Sequence, residues 1–118
     1  MQYLLLIYNA EGVGPQPGQP EFADFMSGYF EFTQEVKERG LFEAGQPLEK
    51  VSTATTVRVR DGKTVVSDGP FAETKEVLGG YYLLNCKDLD EALECAAKIP
   101  TAKTGSIEVR PILEYPGD

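Results

Sequence analysis

Histidine and tryptophan are both absent from this chain of 118 residues. Without an imidazole, no side chain changes charge near neutrality in its ordinary state, and no mixed Cys/His metal site can form. Proton-transfer chemistry would have to use a carboxylate, phenol or amine whose pKa is moved by its surroundings. Cysteine is almost as scarce. Cys86 and Cys95 form no metal motif, and Cys95 is placed at the flank of a helix beside Glu94, where a thiolate is disfavoured. Both are expected to be inert, reduced thiols.

Basic residues are few: 11 Lys and Arg stand against 19 Asp and Glu, a formal net charge of −8 at pH 7. They do not cluster, which excludes nucleic acid and an anionic membrane surface as partners. No apolar run approaches the roughly 20 residues that span a bilayer. The opening Met1-Gln2-Tyr3-Leu4-Leu5-Leu6-Ile7-Tyr8 lacks a basic n-region, so a cytoplasmic protein is expected. Gly12, Gly14 and Gly18 sit among prolines and precede no phosphate-loop Lys. No metal and no cofactor is expected.

What remains is an ordinary globular composition, 42% apolar and 25% charged, which argues against disorder and for a single domain over 1–118. Gln2 to Tyr8 is a nearly unbroken apolar run, the pattern of a strand covered on both faces. Asn9 to Pro20, with three Gly and three Pro, is a loop. Phe22, Phe25, Met26, Tyr29, Phe32, Thr33 and Val36 then recur at helical spacing until Gly40, predicting a helix with this stripe turned inward. Leu41 to Leu48 is a short extended segment. Ala54 to Arg60 alternates as a strand, Asp61-Gly62-Lys63 turns, and Thr64 to Asp68 returns as a hairpin. Gly79 to Cys86 is another strand. Asp88, with Glu91 three residues later, caps a second helix whose inner stripe is Leu89, Ala92, Leu93, Ala96 and Ile99. Ser106 to Tyr115 closes the series, and Pro111 within it marks an edge or terminal strand.

With the hairpin set aside, this order is two βαβ halves. The fold class is α+β: ferredoxin-like βαββαβ with an added β-hairpin. The strands are too apolar for a sheet left open on one side. Covering that face with a second copy predicts a homodimer closed as a dimeric α/β barrel.

Candidate chemistry gathers at a few positions. Asp68 follows a strand and precedes Gly69-Pro70. It is either a base or ligand acceptor beside Phe71, or a carboxylate that accepts backbone N–H bonds from its own turn. Glu73, Lys75 and Glu76 either position a polar ligand or form a solvated turn. Arg58, Arg60 and Arg110 either bind a carboxylate or pair with neighbouring acids. Tyr8, Tyr29, Tyr81 and Tyr82 either line a pocket for an aromatic ligand or fill the core, and only one of the adjacent Tyr81 and Tyr82 can face inward.

The opening strand Tyr3-Leu4-Leu5-Leu6-Ile7-Tyr8, the segment Thr55-Thr56-Val57-Arg58, the block Asp68-Gly69-Pro70-Phe71-Ala72-Glu73-Thr74-Lys75-Glu76 with Leu78-Gly79-Gly80-Tyr81-Tyr82, and the ending Glu108-Val109-Arg110-Pro111 together resemble the YCII-related proteins. Within them, the branch named for its Asp-Gly-Pro-Phe motif is the nearer match. The resemblance implies a dimeric α/β barrel and, for some members, association with a sigma factor system. It also implies that a His-Asp pair serves acid/base chemistry in certain relatives, including dechlorination of ring compounds. Here that His would fall near Phe25 or Met26, neither of which exchanges protons, so the pair does not carry over.

Two functions follow as expectations. The first is a small-molecule-binding or regulatory/interaction domain whose cleft takes a small organic acid, with Arg58, Asp68, Phe71, Tyr82, Tyr8 and Tyr29 as candidate ligand contacts. The alternative is a cofactor-free enzyme doing acid/base chemistry on a small cyclic or aromatic acid. Asp68 or a Tyr would then replace the missing His.

Overall fold

The computed structural model describes residues 1–115. Its elements are β1 (Gln2–Asn9), α1 (Phe22–Glu38), β2 (Phe42–Pro47), β3 (Thr55–Arg60), β4 (Lys63–Asp68), β5 (Val77–Asn85), α2 (Leu89–Lys98) and β6 (Ser106–Pro111), with 3₁₀ turns at Val51–Thr53 and Pro100–Lys103. Four strands form an antiparallel sheet in the order β2-β5-β1-β6. The leading strand of each βαβ half lies in the centre and the trailing strand at an edge, which is the ferredoxin-like order. β3 and β4 form a separate two-stranded sheet.

The period of two along β1 divides the sheet. Tyr3, Leu5 and Ile7 are buried and meet Leu84 and Tyr82 of β5 on the face the helices cover. Leu4, Leu6 and Tyr8 point to the other face and are half-buried. β1 was expected to be covered on both sides, but one chain covers only one. No helix among the described residues is long and apolar enough to cross a membrane.

α1 ends in a Schellman motif. The Leu41 N–H donates to the Val36 carbonyl at 2.9 Å and the Gly40 N–H to that of Lys37 at 3.0 Å. Gly40 takes φ +72°, a conformation glycine adopts without a Cβ penalty. Only the C-terminal half of its stripe reaches the core, through Phe32 and Val36; Met26 is exposed. At the start of α2, Asp88 accepts the Glu91 N–H at 2.9 Å, and the Glu91 carboxylate reaches back to the Lys87 N–H at 2.9 Å. Arg39 ties the two helices, with Glu35 at 3.1 Å and Glu91 and Glu94 each at 3.3 Å.

The inner face of α2 is rotated from the expected stripe. Ala92, Cys95, Ala96 and Ile99 are buried, whereas Leu89 and Leu93 are each 47% exposed. Small side chains let the helix approach the sheet closely, and the two leucines are pushed to its flanks. Cys95 is therefore a core residue, not a flanking one. Burial raises its thiol pKa, and raises that of Cys86 to about 11.

Leucine truncation reads this rotation directly. Leu93→Ala should cost less than ~1 kcal/mol in urea unfolding. The fully buried Leu84 should cost about 2–5 kcal/mol when changed to Ala. Equal costs would contradict the observed helix facing.

Candidate functional site

Where the α1 stripe leaves the core it becomes the wall of a cavity. One side of α1 from Phe25 to Lys37, the loop after β1, and the β2 and β5 margin line about 850 Å³. Phe25, Tyr29, Phe42 and Tyr82 give it an aromatic interior. Tyr82 stands in the middle of that group. Its ring meets Phe32 edge-on at 5.0 Å and Phe42 at 6.4 Å between centroids. Gly45 makes room for it: a Cβ there would lie 2.8 Å from Tyr82 Cδ1 and 3.2 Å from the Tyr81 carbonyl oxygen.

Two hydroxyl pairs line the same space. Tyr82 and Thr33 hydroxyls are 2.7 Å apart, and those of Tyr29 and Thr101 are 2.5 Å apart. Burial pushes both phenol pKa values above the ordinary 10.0, so the rings stay neutral at physiological pH. They can donate and accept hydrogen bonds. As bases near neutrality they are unsuited, because that role needs a shift in the opposite direction.

One charge faces this cavity. Among its described lining residues, Lys37 is the only ionisable side chain other than tyrosine, and no carboxylate accompanies it. Its ammonium sits 5.0 Å from the centroid of Phe42. Among the described residues it makes no ion pair. A second groove of about 640 Å³, between the helices, carries both signs of charge, with Glu21, Asp24, Glu31 and Glu35 against Lys98 and Lys103.

The sequence candidates separate into two places. Tyr29 and Tyr82 line the cavity through their side chains, and the positions suggested for a histidine, Phe25 and Met26, lie in the same wall. Tyr8 falls on the opposite sheet face by strand alternation. Arg58, Asp68 and Phe71 belong to the hairpin and the turn after it, and none lines the cavity. Asp68 is exposed, and among the described residues its side chain neither pairs nor bonds to its own turn. The turn is instead fastened by others. The Gly69 N–H donates to the Ala54 carbonyl at 2.7 Å, and the Thr56 hydroxyl donates to the Gly69 carbonyl at 2.8 Å. Arg58 donates to the carbonyl of Phe71, a residue that is 78% exposed. Arg110 pairs with Glu108 at 3.0 Å.

Thr33, Lys37, Phe42 and Thr101 were not singled out as site residues. One signal for them was legible: Tyr29, Thr33 and Lys37 recur every fourth residue, on one helix face. Thr101 had none.

The buried phenols imply a pH dependence. A folded-state pKa raised above 10.0 adds stability that is complete below that value and is lost as pH rises through the folded value. Urea midpoints should therefore fall above pH ~10. The fall should be shallower in Tyr82→Phe, after correction for its lower starting stability; identical slopes would contradict the burial of this phenol.

Comparison with known proteins places these features in context. A solved structure of 5-chloro-2-hydroxyhydroquinone dehydrochlorinase from Burkholderia phenoliruptrix AC1100, in complex with 2,5-dihydroxybenzoquinone, is similar with a TM-score of 0.49 and 13% identity, over 98% of this chain and 96% of the other. An uncharacterised protein of Rhizobium meliloti (strain 1021) is 40% identical over 121 residues, covering all of this chain and 98% of the relative. The model of the YCII-related domain matches residues 1–116, and the chain belongs to that family.

Proposed function

We propose that this chain binds a small organic acid with a flat apolar or aromatic body in the cavity between α1 and the β2/β5 margin. The observation that carries this reading is Lys37, the lone charge among the described residues lining a cavity of aromatic, aliphatic and uncharged polar side chains. In a chain of net charge −8, a site free of carboxylates and open to one ammonium selects for an anion. The ring of the ligand stacks among Phe25, Phe42 and Tyr82. Its polar substituents meet the Thr33–Tyr82 and Tyr29–Thr101 hydroxyls.

Binding is favoured over acid/base catalysis on the same class of compound. The phenols are shifted away from a base's range, Asp68 is exposed and apart from the cavity, and Phe25 and Met26 cannot exchange protons. A regulatory or interaction role follows naturally from a protein that holds such a ligand without transforming it.

The same reading pairs two copies through their open sheet faces. Leu4, Leu6, Tyr81 and Leu83 occupy that face, and a second copy buries them as the halves of a barrel.

Calorimetry with benzoate and 2-hydroxybenzoate tests the site. Both acids should bind wild type and Asp68→Asn alike, and neutral benzamide should bind far more weakly. Lys37→Gln should lose roughly tenfold in affinity for the acids. Absence of binding by any acid at millimolar concentration, or loss of binding in Asp68→Asn, would sink the reading. For the pairing, sedimentation equilibrium should give twice the chain mass for wild type and the single mass for Leu4→Asp.

A further inference from the structure

Among the described residues, no other strand pairs with the β3–β4 hairpin. Its strands pair only with each other, and every residue of β4 is exposed. The register places Val57 opposite Val66, Val59 opposite Thr64 and Thr55 opposite Asp68, so one face has three valines at its middle, with threonines beside them and Asp68 at its end. Val57, Val59 and Val66 are 60%, 61% and 61% exposed. The other face carries Arg58, Arg60 and Lys63, none of which is ion-paired among the described residues. An isolated two-stranded hairpin is marginal in water, and exposed valines add to its need for cover.

Charge and area both point to one occupant. Thr55–Asp68 holds three cations against two carboxylates, a net of +1, so the rest of the chain carries −9. The open sheet face is apolar at its centre; at one margin Glu108, opposite Leu6, is paired with Arg110, opposite Leu4, and at the other Glu43 on β2 accepts a hydrogen bond from Gln2. An arm of net +1 thus meets a body of net −9, apolar at the centre of its open face, in a second copy of the same chain. Four strands about 4.8 Å apart and ~20 Å long outline only ~400 Å², half of the ~800 Å² per partner of a standard interface. Each protomer that both lends and receives an arm of ~200 Å² makes up the difference.

We propose that the β3–β4 hairpin is an arm that lies valine side down on a second copy of this chain, extending the sheet-to-sheet contact. Its cations remain at the rim, where they steer the acidic bodies together. This rests on the sheet-face pairing proposed above, and the experiment separates the two.

Hydrogen–deuterium exchange of wild type is measured at concentrations below and above the dimer dissociation constant, alongside sedimentation of Val57→Ser/Val66→Ser. Both substitutions are at sites exposed in the single chain, so the variant retains its fold. The amides of β3 and β4 should gain at least ~10-fold protection on pairing. The variant's dissociation constant should rise at least ~30-fold. If wild type pairs but the hairpin amides exchange equally in both states, or the variant pairs as tightly as wild type, the arm is refuted and the sheet pairing stands. Wild type that stays monomeric at every concentration refutes both.

Discussion

The seating of Tyr82 is the constraint on which the rest of this structure depends. Its ring closes the core against Phe32, and its hydroxyl, bonded to Thr33, opens onto the cavity. Core and site are therefore two sides of one residue. The fit also dictates what stands beside it. β2 must offer Gly45, because any Cβ at that point would strike the ring. Edge strand, central strand and first helix are thereby held at the separation that leaves the cavity between them.

The polarity of the protein follows a simple division. Carboxylates crowd the helix surfaces, where Arg39 and Lys98 bridge them, and none of the described residues lining the aromatic cavity is a carboxylate. An anion approaching this acidic chain meets attraction at only a few points, and the cavity mouth is one of them. The proposed selectivity for an anion rests on where negative charge is absent, as much as on the lysine itself.

The fold was legible wherever local chemistry decided it. The Asp61-Gly62 turn, with φ of +52° and +74°, the Asp88 cap and the Gly40 stop all depend on neighbours in sequence. The facing of α2 was misread because hydropathy favours leucine as the inward residue, whereas close packing on the sheet favoured Ala92, Cys95 and Ala96. The site was harder to read. Tyr29 and Thr101 are 72 residues apart, and nothing local foretells that contact. Asp68 drew attention through its motif, yet the bonds that fasten that turn come from Gly69, Thr56 and Arg58, leaving the carboxylate in water.

Each margin of the main sheet ends in proline, Pro47 on β2 and Pro111 on β6. A proline offers no N–H, so neither border can be continued by another strand through its whole length. Lateral growth of the sheet, the route by which apolar strands run on into fibres, is interrupted on both sides. A sheet bordered in this way is left with its broad face as the permissible way to associate, and a face, unlike an edge, is used up once it is covered.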